Sequence, residues 1–116
     1  MDLYLTLCDD PHCTSHSTQT VATWVRRDWD LAVDADMTPY LVWADYASDE
    51  AIIGKCAEPQ CSTLTTVNTG LVRTEDWLVR LAVAPDGYPM FTFRQMPTGH
   101  QLFNCLPEVC SPLVNG

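Results

Sequence analysis

Residues 30–45 read DLAVDADMTPYLVWAD, and residues 80–95 read RLAVAPDGYPMFTFRQ. Both segments contain Leu-Ala-Val, have an Asp and a Pro at matching positions, and continue into aromatic and β-branched residues. Such runs, separated by turns rich in Asp, Gly and Pro, are typical of short antiparallel strands. No segment shows the sustained apolar spacing of an amphipathic helix. The sequence therefore predicts an all-β fold built from a repeat.

The six cysteines follow the same repeat. They form three C-x4-C pairs, which read CDDPHC at 8–13, CAEPQC at 56–61 and CLPEVC at 105–110. The first cysteines lie 48 and 49 residues apart (56 − 8 and 105 − 56), a regular period that indicates tandem repeats. We therefore divide a single domain, 1–116, into one repeat at 8–55, a second at 56–104 and a partial repeat at 105–116. Each period holds about four short strands, as a β-propeller blade does.

The order of these motifs resembles a known type of tandem repeat. It resembles the Cys-containing repeats of bacterial secreted proteins with propeller-like architecture. The shared order is a C-x-[DE]-P-x-C string, a Thr- and Val-rich strand, the Leu-Ala-Val strand, a turn and an aromatic strand. In those repeats the turn usually reads A-D-G-x-P. The stretch APDGYP at 84–89 matches it, whereas DADMTP at 34–39 lacks the Gly. The resemblance implies two four-stranded propeller-like blades and implies no catalytic residue.

Two blades cannot close a ring, so a sheet edge and an apolar face would stay uncovered. We therefore expect an incomplete ring that is completed by self-association, as a trimer with six blades or a dimer with four. The first strand, 3–7, alternates three leucines with Tyr4 and Thr6 and has no partner in its own repeat. We expect it to complete a blade of a neighbouring copy. The alternative is a compact two-repeat sandwich that closes on itself.

Each cysteine pair is expected to form a local disulfide. Positions i and i+5 flank a four-residue loop and, in a hairpin, can face each other at disulfide distance. The predicted bonds are Cys8–Cys13, Cys56–Cys61 and Cys105–Cys110. Such bonds favour a secreted, extracellular protein. The first residues, MDLYLTLC, do not resemble a signal peptide, so a cytoplasmic location is kept as the alternative.

A zinc site is the other interpretation of the first cysteine pair. Cys8, His12, Cys13 and His16 lie close together in the sequence and are all residue types that bind zinc. One period later the two histidine positions hold other residues, Gln and Leu, whereas a structural metal site should recur with its cysteines. We therefore expect no metal and no other cofactor.

Charge limits the partners. The net charge is −9 and the isoelectric point is near 4.3. Nucleic acid and anionic membranes need a basic face, so neither is expected as a partner. No apolar run is long enough for a transmembrane helix. The sequence favours a non-catalytic, lectin-like binding module that recognises a glycan or a protein surface. The alternative is a small acidic inhibitor or immunity-type protein that blocks a basic site on a partner.

Candidate ligand-binding residues are aromatic. Four of them do not recur in pairs and could stack on a ligand, although for any single one a place in the core is the more frequent outcome; they are Trp24, Trp43, Tyr46 and Tyr88. No nucleophile, metalloprotease or phosphate-binding motif is present, so we do not expect an enzyme. The recurring Asp36 and Asp86 are expected to cap their turns, with calcium binding as the alternative.

Overall fold

The computed structural model describes residues 1–72, 80–85, 87–95, 99–106 and 109–112, with the side chains of 27, 28, 93–95, 99–106 and 109–112 excluded. Within this part of the chain all regular structure is β. The strands are β1 (Leu3–Cys8), β2 (His16–Ala22), β3 (Val25–Val33), β4 (Pro39–Asp45), β5 (Glu50–Cys56), β6 (Leu64–Val72), β7 (Arg80–Val83), β8 (Pro89–Gln95), β9 (Gly99–Leu106) and β10 (Val109–Pro112). They form several open sheets, and none closes into a barrel.

Three antiparallel sheets follow one another along the chain. The first contains β1 and β2, the second has the order β3-β4-β5-β6, and the third has the order β7-β8-β9-β10. Each strand pairs with its neighbour in sequence, so both four-stranded sheets are meanders. The predicted hairpin segments 30–45 and 80–95 fall on β3–β4 and β7–β8, which confirms their assignment as strands. The repeats drawn at 8–55 and 56–104 each span parts of two sheets.

The second sheet is the centre of the molecule because both of its faces are covered. On one face, Leu41 and Trp43 pack with Leu3 of the first sheet. On the other face, Val42 packs with Phe91 of the third sheet. Successive side chains of a strand point to opposite faces, so β4 needs apolar residues at nearly every position. This is why YLVWA reads as a continuous apolar run rather than as an alternation.

The first strand has a partner in its own chain, so the expectation that it is unpaired is wrong. β1 pairs antiparallel with β2, with Leu5 opposite Gln19 and Cys8 opposite His16. The alternation along β1 is as predicted: Leu3 and Leu5 are buried, while Tyr4 and Thr6 are exposed. β1 and β2 correspond, one period earlier, to β5 and β6. The first sheet thus matches the second half of the second sheet.

The two loops that join these strand pairs, 9–15 and 57–63, have the same backbone. In the first, the Asp9 N–H donates to the Ser15 carbonyl at 2.8 Å; in the second, the Ala57 N–H donates to the Thr63 carbonyl at 3.0 Å. The second cysteine of each loop has a positive φ, 54° at Cys13 and 50° at Cys61. The repeated cysteine motif therefore encodes one loop conformation, used twice.

The turns at the start of each four-stranded sheet also match. The Met37 N–H donates to the Asp34 carbonyl, and the Gly87 N–H donates to the Ala84 carbonyl. Met37 and Gly87 both have positive φ, 66° and 89°. Glycine adopts this conformation without steric cost, whereas methionine adopts it only with strain. The missing Gly of DADMTP thus leaves a strained residue in an otherwise equivalent turn.

Candidate functional site

Two of the four candidate aromatic residues meet at one end of the second sheet. Trp24 lies between β2 and β3, and Tyr46 begins the turn between β4 and β5. The Tyr46 N–H donates to the Trp24 carbonyl at 2.8 Å, which ties the two segments together. The ring centroids are 5.8 Å apart with an angle of 65° between the planes, an edge-to-face arrangement. No spacing in the sequence predicts that these two rings meet. They meet because β3 and β4 pair antiparallel.

Both rings are open to solvent. Trp24 is 69% exposed and Tyr46 is 46% exposed. Trp24 has a φ of 56°, in the left-handed region that a non-glycine residue adopts at a cost. Because the Trp24 side chain is exposed, it does not contribute to the core. Exposed aromatic pairs of this kind are typical of recognition surfaces.

The turn beneath Tyr46 is rigidly held by Asp45. Its Oδ2 accepts hydrogen bonds from the N–H groups of Ala47 and Ser48 and from the Ser48 hydroxyl, each at 3.1 Å. The Asp49 N–H donates to the Asp45 carbonyl at 2.9 Å, which closes the turn. Asx-type capping explains why YASDE forms a tight connection without Gly or Pro. These hydrogen bonds therefore hold the backbone from which the Tyr46 ring projects.

Arg26 completes the cluster. Its guanidinium carbon lies 4.4 Å from the centre of the Tyr46 ring, a cation–π distance. Its Nε lies 2.9 Å from Oδ1 of Asp49, which forms an ion pair, and its Nη2 donates a hydrogen bond to Oδ2 of Asp49 at 3.5 Å. Both charged side chains are about one-third exposed. We call Trp24, Arg26, Tyr46 and Asp49 the aromatic cluster. Neither Arg26 nor Asp49 was predicted from the sequence to belong to a binding site.

The other two candidate aromatic residues lie elsewhere. Trp43 is buried in the core against Leu3 and Leu41, so it is not available to a ligand. Tyr88 is partly buried in the turn between β7 and β8, at the opposite end of the sheets. The aromatic cluster therefore contains two of the four residues that the sequence singled out.

Two predicted disulfides are present. The sulfur atoms are 2.00 Å apart in Cys8–Cys13 and 2.04 Å apart in Cys56–Cys61. The local pairing is confirmed, but the geometry is not that of directly facing hairpin residues, because Cys8 lies opposite His16 rather than Cys13. The side chains of the third pair lie outside the described residues. Along the backbone, Cys105 does face Cys110 across β9 and β10.

The first disulfide contradicts the zinc alternative. Zinc binds cysteine as a thiolate, and the sulfurs of Cys8 and Cys13 are bonded to each other. His12 and His16 are both exposed beside them. In the described residues no group of three or more His, Cys, Asp or Glu side chains is placed to hold a metal ion.

The turn cap also differs from the prediction. The carboxylate Oδ1 of Asp34, not of Asp36, accepts from the N–H groups of Asp36 and Thr38, at 2.9 and 3.0 Å. The counterpart of Asp34 in the second hairpin is Ala84, which has no capping group. Asp86 lies outside the described residues. A groove of about 390 Å³ separates these two turns, and Asp34 and Asp36 contribute to its wall.

Burial changes the pKa of one group on β4 and one on β5. It raises the pKa of the Tyr40 hydroxyl, and the nearby negative charge of Asp34 adds to the effect. Burial lowers the pKa of the Lys55 ammonium. The Tyr40 hydroxyl donates to the Gly87 carbonyl at 3.4 Å, which links the second and third sheets. Neither Tyr40 nor Lys55 is part of the aromatic cluster.

No protein-family model, curated protein or solved structure matches the chain. The described residues include no helix with the length and apolar character that crossing a membrane would require. The functional argument therefore rests on the aromatic cluster itself.

Proposed function

We propose that the chain is a non-catalytic, extracellular binding module that recognises a neutral glycan through the aromatic cluster. The observation that carries this proposal is the exposure of Trp24 and Tyr46 in a fixed edge-to-face pair. The C–H face of a sugar ring is apolar and about the size of an indole, so it can cover the Trp24 ring and remove it from water.

Polar groups beside the two rings can form hydrogen bonds with the hydroxyls of a sugar. The Arg26 guanidinium and the Asp49 carboxylate are partly exposed, and together they offer donors and acceptors beside the Tyr46 ring. They are already paired with each other, so the cluster itself has no unpaired cation for an acidic sugar. The net charge of −9 also opposes an anionic ligand. Both points favour a neutral glycan.

We further propose that the stacked sheets are consecutive propeller-like blades. The support is the regular succession of meanders, each packing one face on the next. The two local disulfides favour an oxidising, extracellular environment. Self-association as a trimer or dimer stays a prediction.

A glycan array probed with the full chain tests the function. The chain should bind one or more neutral oligosaccharides, and Trp24→Ala should weaken that binding about ten-fold or more, because the main apolar contact is lost. Trp29→Ala is the matched control, since it removes an exposed Trp outside the cluster and should leave binding unchanged. An array without any bound glycan would contradict the proposal. So would equal losses in the two variants.

A further inference from the structure

A groove separates the two equivalent turns that open the second and third sheets. Its volume of about 390 Å³ falls within the range of about 300–1,000 Å³ that ligand clefts occupy. One wall is formed by residues 33–36, where β3 ends, and the other by residues 83–85 and Gly87, where β7 ends. We call it the inter-turn groove. The aromatic cluster lies at the other end of β3, so the groove is a separate surface.

Most of the groove lining is apolar. The apolar side chains come from both turns and include Val33, Ala35, Val83 and Ala84. Val33 is 45% exposed although it ends a strand that packs against two other sheets. A ligand that fills the groove would remove this apolar surface from water, which favours binding.

The charged part of the lining is entirely acidic. Asp34 and Asp36 contribute to one wall, and none of the described residues that line the groove is cationic. Oδ1 of Asp34 is already occupied by two N–H groups of its own turn. The Asp36 side chain is exposed, and its carboxylate accepts no hydrogen bond from the described residues. It is therefore available to a cation that enters the groove.

The same end of the sheets is acidic over a wider area. β5 runs antiparallel to β4, so the second cysteine loop reaches this end, and the first loop lies beside it. The two loops add three carboxylates, those of Asp9, Asp10 and Glu58. Lys55, the only lysine of the chain, lies near this end and is half-buried. Arg26 and Arg80 lie near the beginning of β3 and β7, at the opposite end. This distribution attracts a cationic partner to the groove.

A partner polypeptide fits this surface better than a small free amine. Met37 follows Asp36 in the same turn and is 65% exposed, with a φ of 66° that methionine adopts only with strain. Strained residues cluster at ligand-binding positions, and exposed methionines adapt to the shape of a partner. Met37 and Val33 extend the apolar surface beyond the acidic wall. A polypeptide can cover both with an apolar residue beside its cationic one.

We propose that the inter-turn groove is a docking site for an arginine-bearing segment of a partner polypeptide. The aliphatic stem of the arginine packs on Val33 and Ala84, and its guanidinium forms a two-point contact with the Asp36 carboxylate. Arginine suits the groove better than lysine because its planar fork matches a carboxylate and is more weakly hydrated. A neighbouring apolar residue of the partner covers Met37. This docking is additional to the proposed recognition of a glycan.

An NMR titration of the isotope-labelled full chain with a capped peptide, Ala-Val-Arg-Val-Ala, tests the proposal. Saturable shifts are expected at the backbone amides of residues 33–36 and 83–85. The same peptide with citrulline in place of arginine, a neutral side chain of similar shape, should bind about ten-fold more weakly, because the attraction to both carboxylates is lost. Asp36→Asn should weaken binding of the arginine peptide about three- to five-fold, as an exposed ion pair requires. Asp2→Asn is the matched control: it removes the same charge at the other end of the sheets and should change nothing.

Four results would overturn the assignment. Absence of saturable shifts would show that the groove does not accept the peptide, and equal binding of the citrulline peptide would show that no cation is recognised. Equal losses in Asp36→Asn and Asp2→Asn would reduce the binding to attraction by the net charge. Spermidine that saturates the same amides at the same concentration as the peptide would make a free amine the occupant. The Trp24→Ala protein should bind the arginine peptide normally, which separates this proposal from glycan recognition.

Discussion

The two cysteine loops have the same backbone and very different surroundings. Cys56 and Cys61 are 6% and 2% exposed, and they pack against Leu5 of the first sheet. The Gln19 side-chain amide also donates to the Cys61 carbonyl at 3.1 Å. Cys8 is exposed at the end of β1, and no preceding sheet covers it in the described part of the chain. A local motif thus specifies the loop, and its neighbours decide whether the loop belongs to the core.

Removing each disulfide in turn is expected to cause the largest loss of stability. Closing a ring this small stabilises either loop by about 2 kcal/mol through the entropy of the unfolded chain. The double variant Cys56→Ala with Cys61→Ala also leaves a cavity in the core, which adds about 1–2 kcal/mol. It should therefore cost clearly more stability than Cys8→Ala with Cys13→Ala. Urea denaturation measures both, and equal losses would show that burial of the second loop contributes nothing.

A smaller loss of stability is expected from a substitution in the strand that precedes each cysteine loop. Gly54 on β5 is the equivalent of Thr6 on β1. A Cβ at Gly54 would lie 2.8 Å from Cζ3 of the buried Trp43. Gly54→Ala should therefore destabilise the fold by about 1–3 kcal/mol through overpacking.

Thr6→Ala is the matched control for that substitution. Thr6 is exposed, and its hydroxyl bonds only with the Thr18 hydroxyl across the strand pair, at 2.9 Å. Its replacement should change stability by less than about 0.5 kcal/mol. Thermal unfolding of the two variants gives the comparison. A Gly54→Ala protein as stable as Thr6→Ala would mean that Trp43 moves aside without cost.

The smallest change in stability is expected from the acidic residue of each cysteine loop. The Thr14 hydroxyl and backbone N–H lower the pKa of Asp10, and the backbone N–H and hydroxyl of Ser62 lower the pKa of Glu58. A carboxyl group with a lowered pKa in the folded state stabilises the fold above its unfolded pKa. That contribution is lost as pH falls below about 4, through the folded pKa.

Unfolding in urea at pH 6 and at pH 3 measures this loss. Asp10→Asn and Glu58→Gln should each reduce the difference between the two pH values, because the neutral side chain no longer titrates. Asp10 also accepts the His12 N–H, so its substitution should have the larger effect. Asp36→Asn, at an exposed carboxylate in another turn, is the control. Parallel pH curves for Asp10→Asn and the unmodified protein would refute the capping role.

Much of the local structure was predictable because it depends on short-range chemistry. The turn at Gly87 and the aromatic strand that follows it were predicted correctly from the sequence. The capping role of Asp34 was missed because Asp36 aligns better with the second repeat. The alignment compares residue types, whereas the cap depends on which carboxylate reaches the free N–H groups of its own turn.

The candidate site was only partly predictable. Exposed and buried aromatic residues look alike in a sequence, so Trp24 and Trp43 were grouped together although one is exposed and the other lies in the core. The pairing of Trp24 with Tyr46 needs the register of β3 on β4, and the contact of Arg26 with Asp49 needs the turn that Asp45 holds. None of these follows from composition or period.

By itself, the sequence determined the all-β class, the repeat and the local cysteine pairing, because turn residues, alternation and short loops act over a few positions of the chain. Only the tertiary structure decided that β1 pairs with β2, that the second sheet is covered on both faces and that Leu31 of β3 is exposed. Equivalent residues such as Leu31 and Leu81 have the same local sequence signal. Their exposure differs because it depends on which sheet packs beside them, and that is a property of the assembled fold.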